Sequence, residues 1–237
     1  MATSLMPTKG HVADESDGVA IRPNATVRYA AEAIGTFFLV FTAGAAVGGG
    51  SPLAPLAIGA VLMVMVYAGG HLSGGHYNPA VTLAVLVRGR IKLRDAAAYW
   101  MVQLGAGVLA AMAVRDILDP VELDRHATMT LSGHGLLAAF TSELLFTFAL
   151  CYVMLNVATS KSHPDNSFYG LAIGFTVVAG AFAVGAISGG AFNPAVTLGA
   201  AVMDMFAWPT LWVYMVAQLL AGLAAGITFR VMSPDDY

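Results

Sequence analysis

Residues 73–83 read SGGHYNPAVTL and residues 188–198 read SGGAFNPAVTL, identical at nine of eleven positions at an offset of 115. Asparagine is a favoured helix N-cap and proline a favoured first helical residue, so each Asn-Pro-Ala marks a helix start, at 79 and at 194. The connections that hold them, 71–94 and 187–208, are too long for tight turns, and each carries an apolar run of only about ten residues. Ten helical residues rise ~15 Å, half of the ~30 Å hydrocarbon core of a bilayer. Such a segment can enter a membrane and stop midway where its irregular approach lies against protein or water.

Working outward, six apolar runs approach the ~20 residues of a spanning helix. They fall at about 28–48, 53–70, 95–114, 135–157, 168–187 and 209–230. The self-similarity extends beyond the motif, since Tyr99 and Gln103 pair with Tyr214 and Gln218 at the offset of 115, and Glu32 pairs with Glu143 at 111. Two halves, about 28–115 and 135–230, therefore each hold three spans and one half-helix. With an odd number of spans per half, the halves run in opposite senses, an inverted repeat. The expected fold is an all-α membrane protein of six transmembrane helices and two re-entrant half-helices whose N-termini meet at the midplane. Residues 1–27 read as a polar tail, 28–232 as the membrane domain and 233–237 as a second tail.

Lys9, Arg22, Arg28, Arg88, Arg90, Lys92, Arg94, Lys161 and Arg230 fall on the side of the two tails, against Arg115 and Arg125 on the other. The positive-inside rule then makes both tails cytoplasmic. The first residues carry no apolar run of signal-peptide length, so the expectation is a multi-pass protein of the cell membrane without a cleaved leader.

Composition excludes most other classes. The chain is 58% hydrophobic and 11% charged with a mean hydropathy of +0.74, more apolar surface than a water-soluble domain hides. A net charge of −3 without basic runs interleaved with aromatics argues against nucleic acid as a partner. Cys151 is the single cysteine, which leaves no intrachain disulfide and no cysteine cluster. The six histidines lack metal-ligand spacing, and no nucleophile, base and orienting group fall together, so neither a metal, a cofactor nor an enzyme is expected.

The duplicated Asn78-Pro79-Ala80 and Asn193-Pro194-Ala195 in their SGGxxNPAVTL frames resemble the aquaporin, or major intrinsic protein, family, over roughly residues 28–232. The resemblance implies an aquaporin-like bundle, a homotetramer with one pore per subunit, and passive passage of water and small uncharged solutes across the lipid bilayer. It also makes Glu32 and Glu143 buried carboxylates bracing the re-entrant loops, with His76 ordering the first. In pores of this kind the half-helix ends are already recognised as barriers to protons and cations. Here that role falls to two asparagine amides and two positive helix ends facing one point.

The family's narrowest point maps by motif spacing onto Ile58, Ala181, Gly190 and Val196. Water-selective members place aromatic, His, small and Arg residues there, and this chain keeps only the small one. The implied constriction is wide and apolar, as in some plant vacuolar members, and suits glycerol, urea or neutral metalloid acids. Thr197 and Ala201 point the other way, because glycerol facilitators usually follow the second motif with Asp. Many relatives carry a mercurial-reactive cysteine where Gly190 stands. Arg125 or His126 in the connecting loop could fold over the mouth in place of the missing arginine.

Two rival classes stay open on the residues alone. A proton-coupled or anion transporter on a similar inverted repeat would use Glu32 and Glu143 as a relay, since an ionisable residue inside a membrane is a functional candidate by default. A structural junction protein would conduct nothing. The symmetry of the glutamates, and the lack of Asp, Lys or His deep in a span to continue a relay, favour the pore.

Overall fold

The computed structural model describes residues 23–118, 128–163 and 166–236. Arg125 and His126 lie outside them. Among the described residues are eight α-helices: α1 (Ala25–Gly48), α2 (Ala54–Ser73), α3 (Pro79–Arg88), α4 (Leu93–Ile117), α5 (His134–Thr159), α6 (Tyr169–Ser188), α7 (Pro194–Val202) and α8 (Leu211–Met232). All but α3 and α7 are long and apolar enough to cross a membrane, α8 together with the 3-10 turn Trp208–Thr210 that leads into it.

Local chemistry sets the ends. Asn24 caps α1 by accepting the N–H of Val27 at 2.9 Å, so α1 begins before the apolar run does. Asn78 and Asn193 cap α3 and α7, each followed by proline at the first helical position, where a missing N–H costs nothing. Left-handed Gly89 closes α3, turning back carbonyls that the helix leaves unpaired.

The packing repeats with the sequence. α1 lies against α2 and α4, α5 lies against α6 and α8, and α2 meets α6 between the halves. The half-helices cross over, α3 packing on α8 and α7 on α4. Each half thereby seats the other's half-helix. Glycine makes both seats: a Cβ on Gly107 would stand 2.9 Å from the Ala195 carbonyl oxygen, and one on Gly222 would run into that of Ala80. Close approach of backbones at small residues is how helices associate where lipid removes the hydrophobic drive.

The bundle has an apolar outside, unlike a soluble domain, around an interior that holds a few buried polar groups. Ile34, Phe38, Met101, Leu109, Leu145 and Phe182 are exposed on its outside. Glu32, Glu143, Gln103 and Gln218 are wholly buried within it, and Asn78 and Asn193 nearly so. Apolar residues facing out suit lipid or further copies of the chain, and the buried polar groups must satisfy one another. The face where α1 begins and α8 ends is called the terminal face below.

Candidate functional site: a junction of two half-helices between two vestibules

The Ser-Gly-Gly step ends α2 at left-handed Gly74, and the chain then dives inward through Gly75 and Tyr77, with φ of 63° and 48°. Phe192, at φ 49°, is the counterpart of Tyr77 in the second half. A non-glycine residue held in this region costs ~1–3 kcal/mol and persists only where its surroundings over-determine it. Here a buried carboxylate does so.

Glu32 Oε1 accepts the Ser73 hydroxyl at 2.7 Å and the His76 N–H at 2.9 Å, while Oε2 accepts the Tyr77 N–H at 2.7 Å and the Gln103 amide at 2.8 Å. Glu143 repeats the pattern with Ser188 at 2.7 Å, Ala191 N–H at 3.0 Å, Phe192 N–H at 2.7 Å and Gln218 at 2.8 Å. Gln103 also donates to Thr82 Oγ1 at 3.0 Å, and Thr82 in turn donates to the Asn78 carbonyl at 3.1 Å. Gln218, Thr197 and Asn193 form the same chain at 2.9 and 3.0 Å. The His76 ring Nδ1 lies 3.1 Å from Thr82 Oγ1 and the ring packs edge-on against Tyr99, so both its backbone and its side chain belong to the first network.

Each asparagine does two jobs. Asn78 Oδ1 accepts the Ala80 N–H at 2.8 Å, and Asn193 Oδ1 accepts that of Ala195 at 2.9 Å. Their Nδ2 groups reach across the repeat, Asn78 to the Phe192 carbonyl and Asn193 to the Tyr77 carbonyl, both at 2.9 Å. Pro79, Ala80, Pro194 and Ala195 are buried in the first turns behind them. Asn78 and Asn193 line one cavity of about 20 Å³ together with Ile58 and Val196, space on the order of a single water.

Wider space opens on both sides. Towards the face opposite the termini lies a vestibule of about 370 Å³ whose wall includes Ile58, Ala181, Gly190 and Val196. Among the described residues the side chains that line it are apolar, with the thioethers of Met129, Met203 and Met205 among them. Gly190 has φ +65°, and a Cβ there would come 3.3 Å from the Ala181 Cα, so the position admits a side chain only with strain. Towards the terminal face lies a second vestibule of about 260 Å³ with a polar wall that includes Arg28, His71, His76, Arg90, Tyr99 and Thr159. Among the described residues no group of three or more His, Cys, Asp or Glu is placed to hold a metal ion.

The structure thus brings Asn78, Asn193, Ile58, Ala181, Gly190, Val196, Glu32, Glu143 and His76 together around the two half-helix ends, while Cys151 and Ala201 are buried in the apolar core. Gln103 and Gln218, buried polar residues in spans, link helices by joining each carboxylate to its half-helix. Ser73, Ser188 and Thr82, with Thr197, also belong to these networks. Their signal was the repeat itself, because every one of them recurs at the offset of 115.

The Major intrinsic protein family profile matches residues 21–229. A glycerol uptake facilitator protein-like 6 of Lactiplantibacillus plantarum is 38% identical over 219 residues, 88% of this chain and 99% of that protein. The probable aquaporin NIP4-2 of Arabidopsis thaliana is 32% identical over 89% of this chain and 76% of its own length, and aquaporin TIP1-1 of the same plant is 34% identical over 90% and 89%. Among solved structures, the aquaglyceroporin of Plasmodium falciparum superposes with a TM-score of 0.75 at 20% identity, covering 89% of this chain and 98% of that one. The profile match takes in both Asn-Pro-Ala motifs, five whole spans and most of the sixth, and with it the chain belongs to the major intrinsic protein family of membrane channels.

Proposed function

We propose that the chain conducts water and small uncharged solutes, with glycerol, urea and neutral metalloid acids among them, and holds back protons and ions. The observation that carries this reading is the crossed pair of bonds from Asn78 to Phe192 and from Asn193 to Tyr77. An amide nitrogen has two hydrogens. One fixes the orientation of each side chain, which leaves the other for an oxygen passing through the cavity between them. Two helix N-termini, each equivalent to about +0.5 charge, bear on the same point. A water there turns its oxygen to both donors and cannot relay a proton onward, and a cation meets positive potential.

The solute range rests on the upper wall. Ile58, Ala181, Gly190 and Val196 offer neither a ring nor a guanidinium, so a polyol meets room and no fixed charge. The relative named for glycerol uptake supports the same reading. Thr197 is wholly buried against Gln218, so its water-type character describes the brace rather than the width of the path. The terminal face is the cytoplasmic one by the charge count, the setting is the cell membrane, and four copies assemble with one path in each.

Stopped-flow light scattering on proteoliposomes with water, glycerol and urea gradients tests this. Expected is flux of all three above empty vesicles. Water flux with exclusion of every larger solute would overturn the wide range, and flux that depends on a coupling ion would favour a transporter.

A further inference from the structure

The segment after α8 folds back onto the terminal face and buries a carboxylate there. Asp236 is 6% exposed. Its Oδ1 accepts the Arg88 guanidinium at 2.8 Å and lies 3.5 Å from that of Arg90, while Oδ2 accepts the Ser160 hydroxyl at 2.8 Å and the Lys161 N–H at 2.9 Å. One residue thereby ties together the foot of half-helix α3, the turn after it and the end of α5.

Arg88 is the last residue of α3 and is as buried as its partner. Its guanidinium sits 4.3 Å from the centre of the Phe229 ring and donates to the hydroxyl and carbonyl of Thr159 at 3.1 and 3.2 Å. A buried charge so held is costly to leave without its counter-charge. Arg90 is different. It follows left-handed Gly89, its side chain is 39% exposed, and it lines the vestibule of about 260 Å³ on the terminal side.

We propose that Asp236 is a positioning residue for conduction: by drawing Arg90 to the vestibule wall it keeps that cation out of the path of entering solutes. This rests on the reading of the chain as a pore. The carboxylate is charged across the neutral range. Burial pushes it up, but the Ser160 hydroxyl, the Lys161 N–H and the Arg88 charge together outweigh burial and hold it below its ordinary value. Among the described residues, Arg88, Arg90 and Lys161 are the cationic residues around it.

The test is glycerol and water permeability of proteoliposomes, normalised to incorporated protein, for the native chain, Asp236→Asn, Asp236→Glu, Arg90→Gln and Asp236→Asn with Arg90→Gln. Asp236→Asn is expected to lower permeability about threefold, equivalent to ~0.65 kcal/mol on an entry barrier, and Asp236→Glu to recover most of it. The loss should vanish where Arg90 is already Gln, so that the double variant matches Arg90→Gln alone. A purely structural tie would leave the loss in place in the double variant, and that result, or a folded Asp236→Asn that conducts like the native chain, overturns the proposal. Should Asp236→Asn not fold, Ser160→Ala removes one donor and leaves both arginines: a smaller loss, abolished by Arg90→Gln, supports the proposal and no loss overturns it. Native vesicles without flux above empty ones would instead overturn the pore reading itself.

Discussion

The Asn193 amide donates to the Tyr77 carbonyl at 2.9 Å, and Tyr77 is the left-handed residue whose own N–H Glu32 holds at 2.7 Å. A carboxylate in the first half thus fixes the amide that the second half brings to the cavity between the half-helices. Glu143, Phe192 and Asn78 return the arrangement. Neither asparagine depends on its own half alone, so the cavity between them keeps its shape only while both loops are braced.

Glu32→Gln and Glu143→Gln should therefore act on the fold before they act on transport. Glutamine supplies one acceptor oxygen and an NH2 that faces existing donors, losing hydrogen bonds to a charged group worth about 1.5–3 kcal/mol each. Expected in detergent is a lower thermal midpoint and folded yield for either variant, by similar amounts given the symmetry, with the folded remainder conducting at unchanged pH dependence. Variants that fold normally and lose only a proton-coupled flux would make these carboxylates a relay.

The layout of the fold was legible because the repeat is nearly identical in its motif and because Asn-Pro carries its own start signal. The limits of the spans were less so. α1 starts at Ala25 and α4 at Leu93, ahead of the apolar runs at 28 and 95, because Asn24 and the polar first turns lie outside any hydropathy signal. Among the site residues, the asparagines could be read from local capping chemistry. Gln103 and Gln218 could not be given partners, since their bonds to Glu32 and Glu143 join residues 71 and 75 positions apart. Asp236 sits in a segment that reads as a polar tail, and its burial follows from the arginines it meets at 88 and 90, a purely tertiary fact.

Val196 lines both the apolar vestibule and the small cavity beside the asparagines, so a change there acts on the narrow part of the path. Val196→Arg adds a positive charge and five donors. Expected is a fall in glycerol and urea permeability by about tenfold, equivalent to ~1.4 kcal/mol, with a smaller effect on water. Equal conduction of all three by native and variant would place the narrowing elsewhere.

Cys151 is wholly buried in the apolar core with Leu150, Met154 and Leu155, and Gly190 brings no thiol to the vestibule. Mercuric chloride should leave water flux unchanged over the minutes of a vesicle assay. Rapid block reversed by thiol and absent in Cys151→Ser would mean that the cysteine reaches the path.

Water permeability and proton leak measured together, in the same proteoliposomes across a range of temperatures, test most directly whether the crossed asparagines make a passive pore that bars protons. Expected is osmotic water flux well above empty vesicles, with a weak temperature dependence, no need for any ion gradient, and a proton leak no larger than that of protein-free lipid. Water flux that needs an ion gradient, or a proton leak that rises with the amount of protein, would contradict it.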